Sequence, residues 1–154
     1  MEHLIVRDQD PVYLNWAQDQ LGVGWEPSKV RTLSHVRIND DTSVLLLAVV
    51  VFSNFSPHAC ELSIASTPGL WATRRYVRAV YESVFTDFGR ERFIGLVEHT
   101  NAESIEMHKR LGHKFECELE DWFGRDKPGL VFGLTKRDYL KSKWAPKNEG
   151  AIAL

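Results

Sequence analysis

The stretch Ser63–Val97, SIASTPGLWATRRYVRAVYESVFTDFGRERFIGLV, carries the step on which the architecture turns. Its first residues end a strand-length run, ACELSIAS (Ala59–Ser66), and Pro68 and Gly69 break that run with a turn. Beyond the turn the period changes. Val77, Val80, Tyr81, Val84, Phe85 and Phe88 recur at helical spacing, with Arg74, Arg75, Arg78 and Glu82 on the other faces. Gly89 suits the residue just past a helix end. RFIGLVEH (Arg92–His99) is then a short apolar strand. Strand, helix and strand in direct succession predict a right-handed parallel crossover on one sheet.

Working outward, SVLLLAVVVF (Ser43–Phe52) is apolar throughout and bounded by polar turns, which predicts a strand buried on both faces. ACELSIAS should return beside it as an antiparallel hairpin partner. HLIVRD (His3–Asp8) and the imperfectly alternating KVRTLSHVRI (Lys29–Ile38) read as strands. DPVYLNWAQDQLG (Asp10–Gly22) reads as a helix with Asp10 as cap, Pro11 at its first position and Gly22 as stop. Downstream, TNAESIEMHKRLG (Thr100–Gly112) is a second short helix, begun by a Thr100–Glu103 capping box or by Asn101. KFECELEDWF (Lys114–Phe123) and GLVFGLTKR (Gly129–Arg137) are two closing strands around the turn GRDKPG. The class is α/β (α+β), a mixed sheet covered by helices.

A chain of 154 residues suits one domain, expected over residues 1–145, with a flexible tail at 146–154. Hydrophobic residues are 44% and charged ones 26%, and the net charge of −2 supplies no field for nucleic acid or an anionic membrane. A basic face of Arg74, Arg75, Arg78, Lys109, Arg110 and Lys114 is the weak case for nucleic acid. No apolar run approaches the roughly 20 residues needed to span a bilayer, and the start lacks the apolar region of a signal peptide. Cys60 and Cys117 form no pair motif, so both are expected as small buried hydrophobes in a reducing cytoplasm. His35, His58, His99 and His113 show no metal-ligand spacing, and no metal is expected.

STPGLWATRRYV (Ser66–Val77) has the equipment to grip a phosphate. A helix start offers unpaired N–H groups, a Pro-Gly turn lets the backbone approach a ligand, and Arg74 and Arg75 add charge. The same residues also describe a plain basic helix start. The flank weighs on this choice. FIGLVEHTNAESIEMHKRLGHKFECE (Phe93–Glu118) contains N-x-x-S-x-x-x-x-x-x-L-G through Asn101, Ser104, Leu111 and Gly112. It resembles the late motif of the GNAT superfamily, the acyl-CoA-dependent N-acetyltransferases. That motif usually ends Leu-Gly-Phe; here His113 follows, with Phe115 two places later. Ser104 in place of the commoner alanine, and the ending FGLTKRDYL, resemble the branch that acetylates ribosomal-protein N-termini. WATRR with VFTDFG is similar to bacteriophage-encoded members.

The resemblance spans most of the chain and implies a mixed, mostly antiparallel sheet of about six or seven strands flanked by helices. It implies acetyl-CoA as acyl donor, its pyrophosphate at Leu70, Trp71, Ala72, Thr73, Arg74 and Arg75 and its pantetheine along Ile64, Ala65, Ser66 and Thr67. The usual Gln/Arg-x-x-Gly-x-Gly/Ala loop is reduced here to Gly69 and Ala72 with two arginines downstream. Asn101 would contact the cofactor or fix the strand-to-helix turn. Ser104 would contact the thiol sulfur. Members that use a tyrosine acid carry it where this chain has His108.

Acetyl transfer from a thioester to an amine needs a neutral amine, a stabilised oxyanion and a stabilised leaving thiolate. Strand alternation puts Glu61, Ser63 and Ala65 on one face, and a carboxylate buried there would have a raised pKa that suits a base. Glu61 is equally a rim glutamate paired with an arginine. Ser104 ranks ahead of His108 at the sulfur, each having a plainer reading as a helix cap and as a surface histidine. Trp25 and Trp122 could line an acceptor groove, and Glu118, Glu120 and Asp121 point to a cationic acceptor. The expected function is direct acetyl transfer to a primary amine of a protein N-terminus, a lysine or a small molecule, with homodimerisation left open. The alternative is a non-catalytic module of the same fold that binds acyl-CoA or a partner protein, such as a phage-encoded host-binding protein.

Overall fold

The computed structural model describes residues 1–7 and 11–147. Asp10, the expected cap of the first helix, and the expected tail beyond Lys147 lie outside them. Seven strands form one sheet in the order β1-β2-β3-β4-β5-β7-β6. In chain order they are β1 (Glu2–Arg7), β2 (Arg31–Ile38), β3 (Val44–Ser53), β4 (Ala59–Ser66), β5 (Arg92–Glu98), β6 (Lys114–Leu119) and β7 (Gly129–Thr135). The helices are α1 (Pro11–Leu21), α2 (Arg74–Glu82), α3 (Ala102–Arg110) and α4 (Lys136–Leu140). Every neighbouring pair is antiparallel except β4 with β5, the two strands joined through α2.

β3 owes its central place to its composition. Val49, Val50 and Val51 are fully buried, because alternate side chains enter opposite cores. Val50 joins Leu33, Phe52, Leu62, Phe93 and the apolar stripe of α2 in the larger core. Val49 and Val51 join Leu14 and Ala17 of α1 and Ala65 of β4 in the smaller one. Residues Thr32–Val36 of β2 are all buried, and a bulge shifts the register between His35 and Val36. Burial on both faces of β2, not the bulge, whose extra residue Leu47 lies on β3, accounts for the imperfect alternation in the sequence.

The side chain of Thr73 caps α2 by accepting the Tyr76 N–H at 3.2 Å. Val77, Val80, Tyr81, Val84 and Phe85 turn into the larger core, as the spacing predicts. The helix widens into a π-helical turn at Ser83–Asp87, and Gly89 ends it at φ 63°, a left-handed conformation that a Cβ would strain. Asn101, not the Thr100–Glu103 box, caps α3 by accepting the Ser104 N–H at 3.1 Å.

Two closing elements differ from expectation. KFECELEDWF leaves the sheet after Leu119, because Asp121 adopts φ 56° and its carboxylate accepts the Asp126 N–H at 2.8 Å, folding Glu120–Phe123 into a turn. GLVFGLTKR leaves it after Thr135, whose hydroxyl accepts the Asp138 N–H at 3.1 Å and starts α4. Cys60 is buried as expected, whereas Cys117 is exposed on the edge strand β6. No helix among the described residues is long and apolar enough to cross a membrane.

Candidate active site

The sheet opens between its two parallel strands. β4 and β5 pair only through Ala59–Arg92, Cys60–Phe93, Glu61–Ile94 and Leu62–Gly95. Beyond that point Ser63–Ser66 stay on β3 while Leu96–Glu98 stay on β7, so the sheet forks. The phase of the β3–β4 ladder shows what faces the fork. The Thr67 N–H donates to the Leu47 carbonyl at 2.8 Å, which makes 61, 63 and 65 the residues that exchange bonds with β3. The main-chain groups of Leu62, Ile64 and Ser66 therefore point the other way. Past Leu62 no β5 residue meets them, so two residues of β4 present strand-type donors and acceptors to the opening.

The upper end of β4 runs into the loop that precedes α2. Thr67 fastens it by donating its hydroxyl to the Leu46 carbonyl at 2.8 Å, and Gly69 turns it at φ 128°. Leu70 is 89% exposed, while Trp71 packs on the larger core. The guanidinium groups of Arg74 and Arg75 donate to the carbonyls of Lys143 and His3, at 3.4 and 3.2 Å. Each keeps further N–H donors for an anion. The loop thus presents a helix start and two exposed cations at the end of the fork.

Asn101 and Ser104 stand at the start of α3, directly after β5. His108 lies one turn beyond Ser104 on the same helix face. Its neighbours Lys109 and Arg110 are exposed, yet His108 is only 6% exposed and lies flat on Phe132, with ring centroids 4.9 Å apart and planes 8° apart. Burial holds its pKa down to about 4, so it is neutral at pH 7. A Cβ placed on Gly95 would lie 2.9 Å from Cε1 and 3.4 Å from Nε2 of this ring, and 3.6 Å from the Leu62 carbonyl oxygen. The edge of the imidazole thus borders Gly95, which with Leu62 forms the last pair before the fork.

Glu61 occupies the opposite face of β4, one residue before the fork opens. It is half-buried, and the Asn54 amide donates to its Oε2 at 2.6 Å. Trp25 packs against the smaller core, which includes Ala65 of β4. Trp122 is 55% exposed in the turn after β6, over Gly129, which pairs with Glu98 at the end of β5. Glu118 is exposed on β6, two strands away from the fork. The fold thus gathers Ile64, Ser66, the Leu70–Arg75 loop, Ser104 and His108 around one opening, with Glu61 at its base, and leaves Glu118 apart.

His113, Tyr81, Gly95 and His35 have no place in the sequence-derived set, although each supports this region. His113 bonds His108 at 2.8 Å, and Tyr81 bonds His113 at 2.7 Å. The signal in the sequence is the pair of histidines five residues apart in HKRLGH. Among the described residues no three His, Cys, Asp or Glu side chains are grouped to hold a metal ion. Two shallow concavities among the described residues lie elsewhere, one beside Leu111 and Trp144 and one beside Phe115 and Gly133.

No protein-family model and no curated protein sequence matches the chain. Solved structures do. A spermidine/spermine N-acetyltransferase of Vibrio cholerae superposes with TM-score 0.70 at 14% identity, over 90% of this chain and 95% of that one. A dodecameric spermidine N-acetyltransferase of the same organism gives 0.70 at 15%, over 90% and 96%. A ribosomal-protein-S5-alanine acetyltransferase of Vibrio fischeri gives 0.66 at 14%, over 94% and 96%. Across nearly the whole length of those proteins, the chain has the GNAT fold of these N-acetyltransferases.

Proposed function

We propose that the protein is an N-acetyltransferase that moves an acetyl group from acetyl-CoA directly to a primary amine. The observation that carries this reading is the fork between β4 and β5, which leads from the unpaired edge of Ile64 and Ser66 to the start of α2. An extended, amide-bearing pantetheine arm fits such an edge as a further strand would, and a pyrophosphate fits the N–H groups and arginines at its end. Acyl-CoA supplies the activated thioester; the chain supplies position and polarity.

Main-chain groups of Ile64 and Ser66 hold the arm, with Ala65 and Thr67 beside them. The loop Leu70–Thr73 with Arg74 and Arg75 holds the phosphates, and Asn101 sets the turn that brings α3 to the fork. Glu61, through a water within its reach, takes the proton that the amine nitrogen loses as its lone pair forms the new C–N bond. Ser104 and His108 face the sulfur, which departs as a thiolate with the electron pair of the broken C–S bond, is held there by hydrogen bonds and takes its proton from solvent water to end as a thiol. The acceptor approaches on the α1 face past Trp25, with the turn at Trp122 as its other wall. The acids Glu120 and Asp121, in the turn with Trp122, favour a cationic amine, consistent with the spermidine named for two of the structural neighbours, whereas Glu118, two strands from the fork, takes no part.

Calorimetric titration with acetyl-CoA, using dephospho-CoA and acetate as controls, tests the proposal. Micromolar binding of acetyl-CoA that weakens with dephospho-CoA and vanishes with acetate is expected. An absence of heat up to millimolar would sink the enzyme and leave a protein-binding module of the same fold.

A further inference from the structure

Behind His108 the polar line continues inward. Its Nδ1 lies 2.8 Å from Nδ1 of His113, and Nε2 of His113 lies 2.7 Å from the Tyr81 hydroxyl. All three residues are buried, and aromatic rings box them in. Phe93 stacks on Tyr81 and meets His113 edge-on, Tyr139 and Trp144 meet Tyr81 edge-on, and Phe132 covers His108. Among the described residues the Tyr81 hydroxyl has no other hydrogen-bond partner.

Counting hydrogens gives the line a direction. A neutral imidazole has one N–H donor and one acceptor nitrogen, and a phenol has one proton to donate. If Tyr81 donates to Nε2 of His113, then His113 carries its proton on Nδ1 and donates to Nδ1 of His108. His108 then carries its proton on Nε2. Every donor inside the box is used. The reverse order leaves the phenol proton facing carbon, at the full cost of an unsatisfied buried donor.

We propose that Tyr81 and His113 are positioning residues whose one-way hydrogen-bond chain fixes His108 as the neutral Nε2–H tautomer and aims that N–H at the β4–β5 fork. The inference rests on the fork being the acyl-CoA site. It makes His108 a fixed hydrogen-bond donor to the sulfur, not an acid that surrenders its proton. Giving up that proton would draw negative charge back along the chain to a buried phenol whose pKa burial has already raised.

The test is nitrogen-resolved NMR of the full chain carrying labelled histidine, at neutral pH, with the His108 and His113 signals assigned by loss in His108→Gln and His113→Gln. The expected spectrum has His108 as a single Nε2–H tautomer and His113 as a single Nδ1–H tautomer. The opposite assignment, or fast averaging between tautomers, overturns the proposal without reference to any variant's folding. Tyr81→Phe, which removes only the hydroxyl, should turn the single His108 tautomer into a mixture; an unchanged spectrum in that variant overturns it too. Adding CoA, with its free thiol, should then shift the His108 Nε2 signal and spare that of His58, before the start of β4. Heat of CoA binding with an unmoved His108 defeats the aim at the fork. No heat defeats the acyl-CoA reading instead, and the tautomer result still judges the chain.

Discussion

His35 on β2 donates its Nδ1–H to the carbonyl of Trp71 at 2.7 Å and thereby ties the loop before α2 to the sheet. Because a carbonyl only accepts, the tautomer is fixed, and the other nitrogen of His35 accepts from Nδ1 of His3 at 2.9 Å. The ring also stacks on Tyr76 in the first turn of α2. Replacing it by leucine strands the Trp71 carbonyl and frees the loop. His35→Leu should lose about 1–3 kcal/mol in chemical denaturation and bind acetyl-CoA more weakly by calorimetry. Full affinity with the expected loss of stability would show that the loop needs no such anchor.

Arg74 and Arg75 each spend one contact on a backbone carbonyl and remain exposed. If their remaining donors reach a pyrophosphate, Arg74→Ala with Arg75→Ala should weaken acetyl-CoA binding by roughly tenfold or more, since a hydrogen bond to a charged group is worth about 1.5–3 kcal/mol. Affinity of the native protein should also fall with added salt more steeply than that of the double variant. Unchanged affinity would remove the phosphate assignment.

Gly95 leaves room for His108, and the margin is narrow. A Cβ there would come within 2.9 Å of the ring, and the ring has Phe132 behind it. Gly95→Ala should therefore cost about 1–3 kcal/mol through overpacking. It should also displace the imidazole from the fork, so kcat falls more than the affinity for acetyl-CoA. A variant as stable and as active as the native protein would mean that the ring moves aside freely.

Much of this arrangement was legible in the chain, for local reasons. The unbroken run Val49–Val51 announces a strand between two cores, and the stripe from Val77 to Phe85 announces the helix that links the parallel pair. Pro68, Gly69 and the two arginines mark the loop. The turn at Asp121 and the short α4 were hidden, since each hangs on one side-chain hydrogen bond that a strand-like pattern conceals. The partner of His113 was hidden by distance, Tyr81 being 32 residues away. His108 sits in a charged run, so its burial shows only once α3 lies on β5 and β7. His108 and His113, the two positions at which the chain departs from the motif it resembles, touch each other.

That contact also sets a pH limit. Burial lowers the pKa of His108 to about 4 and that of His113 to about 3, the latter helped by its neighbour. The unfolded chain, with ordinary histidines near 6.5, binds more protons than the folded one below that pH. Stability from the pair is therefore complete above about pH 6.5 and is lost as pH falls toward the folded values, by up to about 1.4 kcal/mol per pH unit for each ring. The melting temperature should drop between pH 7 and pH 5, and His113→Phe should flatten that drop. An equal slope in the variant would place the acid sensitivity elsewhere.

Glu61 and His108 lie on opposite faces of the sheet beside the fork, and the proposed mechanism divides the chemistry between them. Glu61 is paired with the Asn54 amide at 2.6 Å, and that bond orients the carboxylate without consuming both of its oxygens. Glu61→Gln keeps the size and the sheet position, so folding and acetyl-CoA affinity should hold. Removal of a general base should lower turnover on an amine acceptor by roughly 10²–10⁴. Raising the pH, which deprotonates the amine without help, should recover part of the loss. Asn54→Ala should give a smaller defect of the same kind, because it loosens the carboxylate without removing it. Full turnover in Glu61→Gln would move the proton acceptor to bulk water and leave Glu61 as a rim residue.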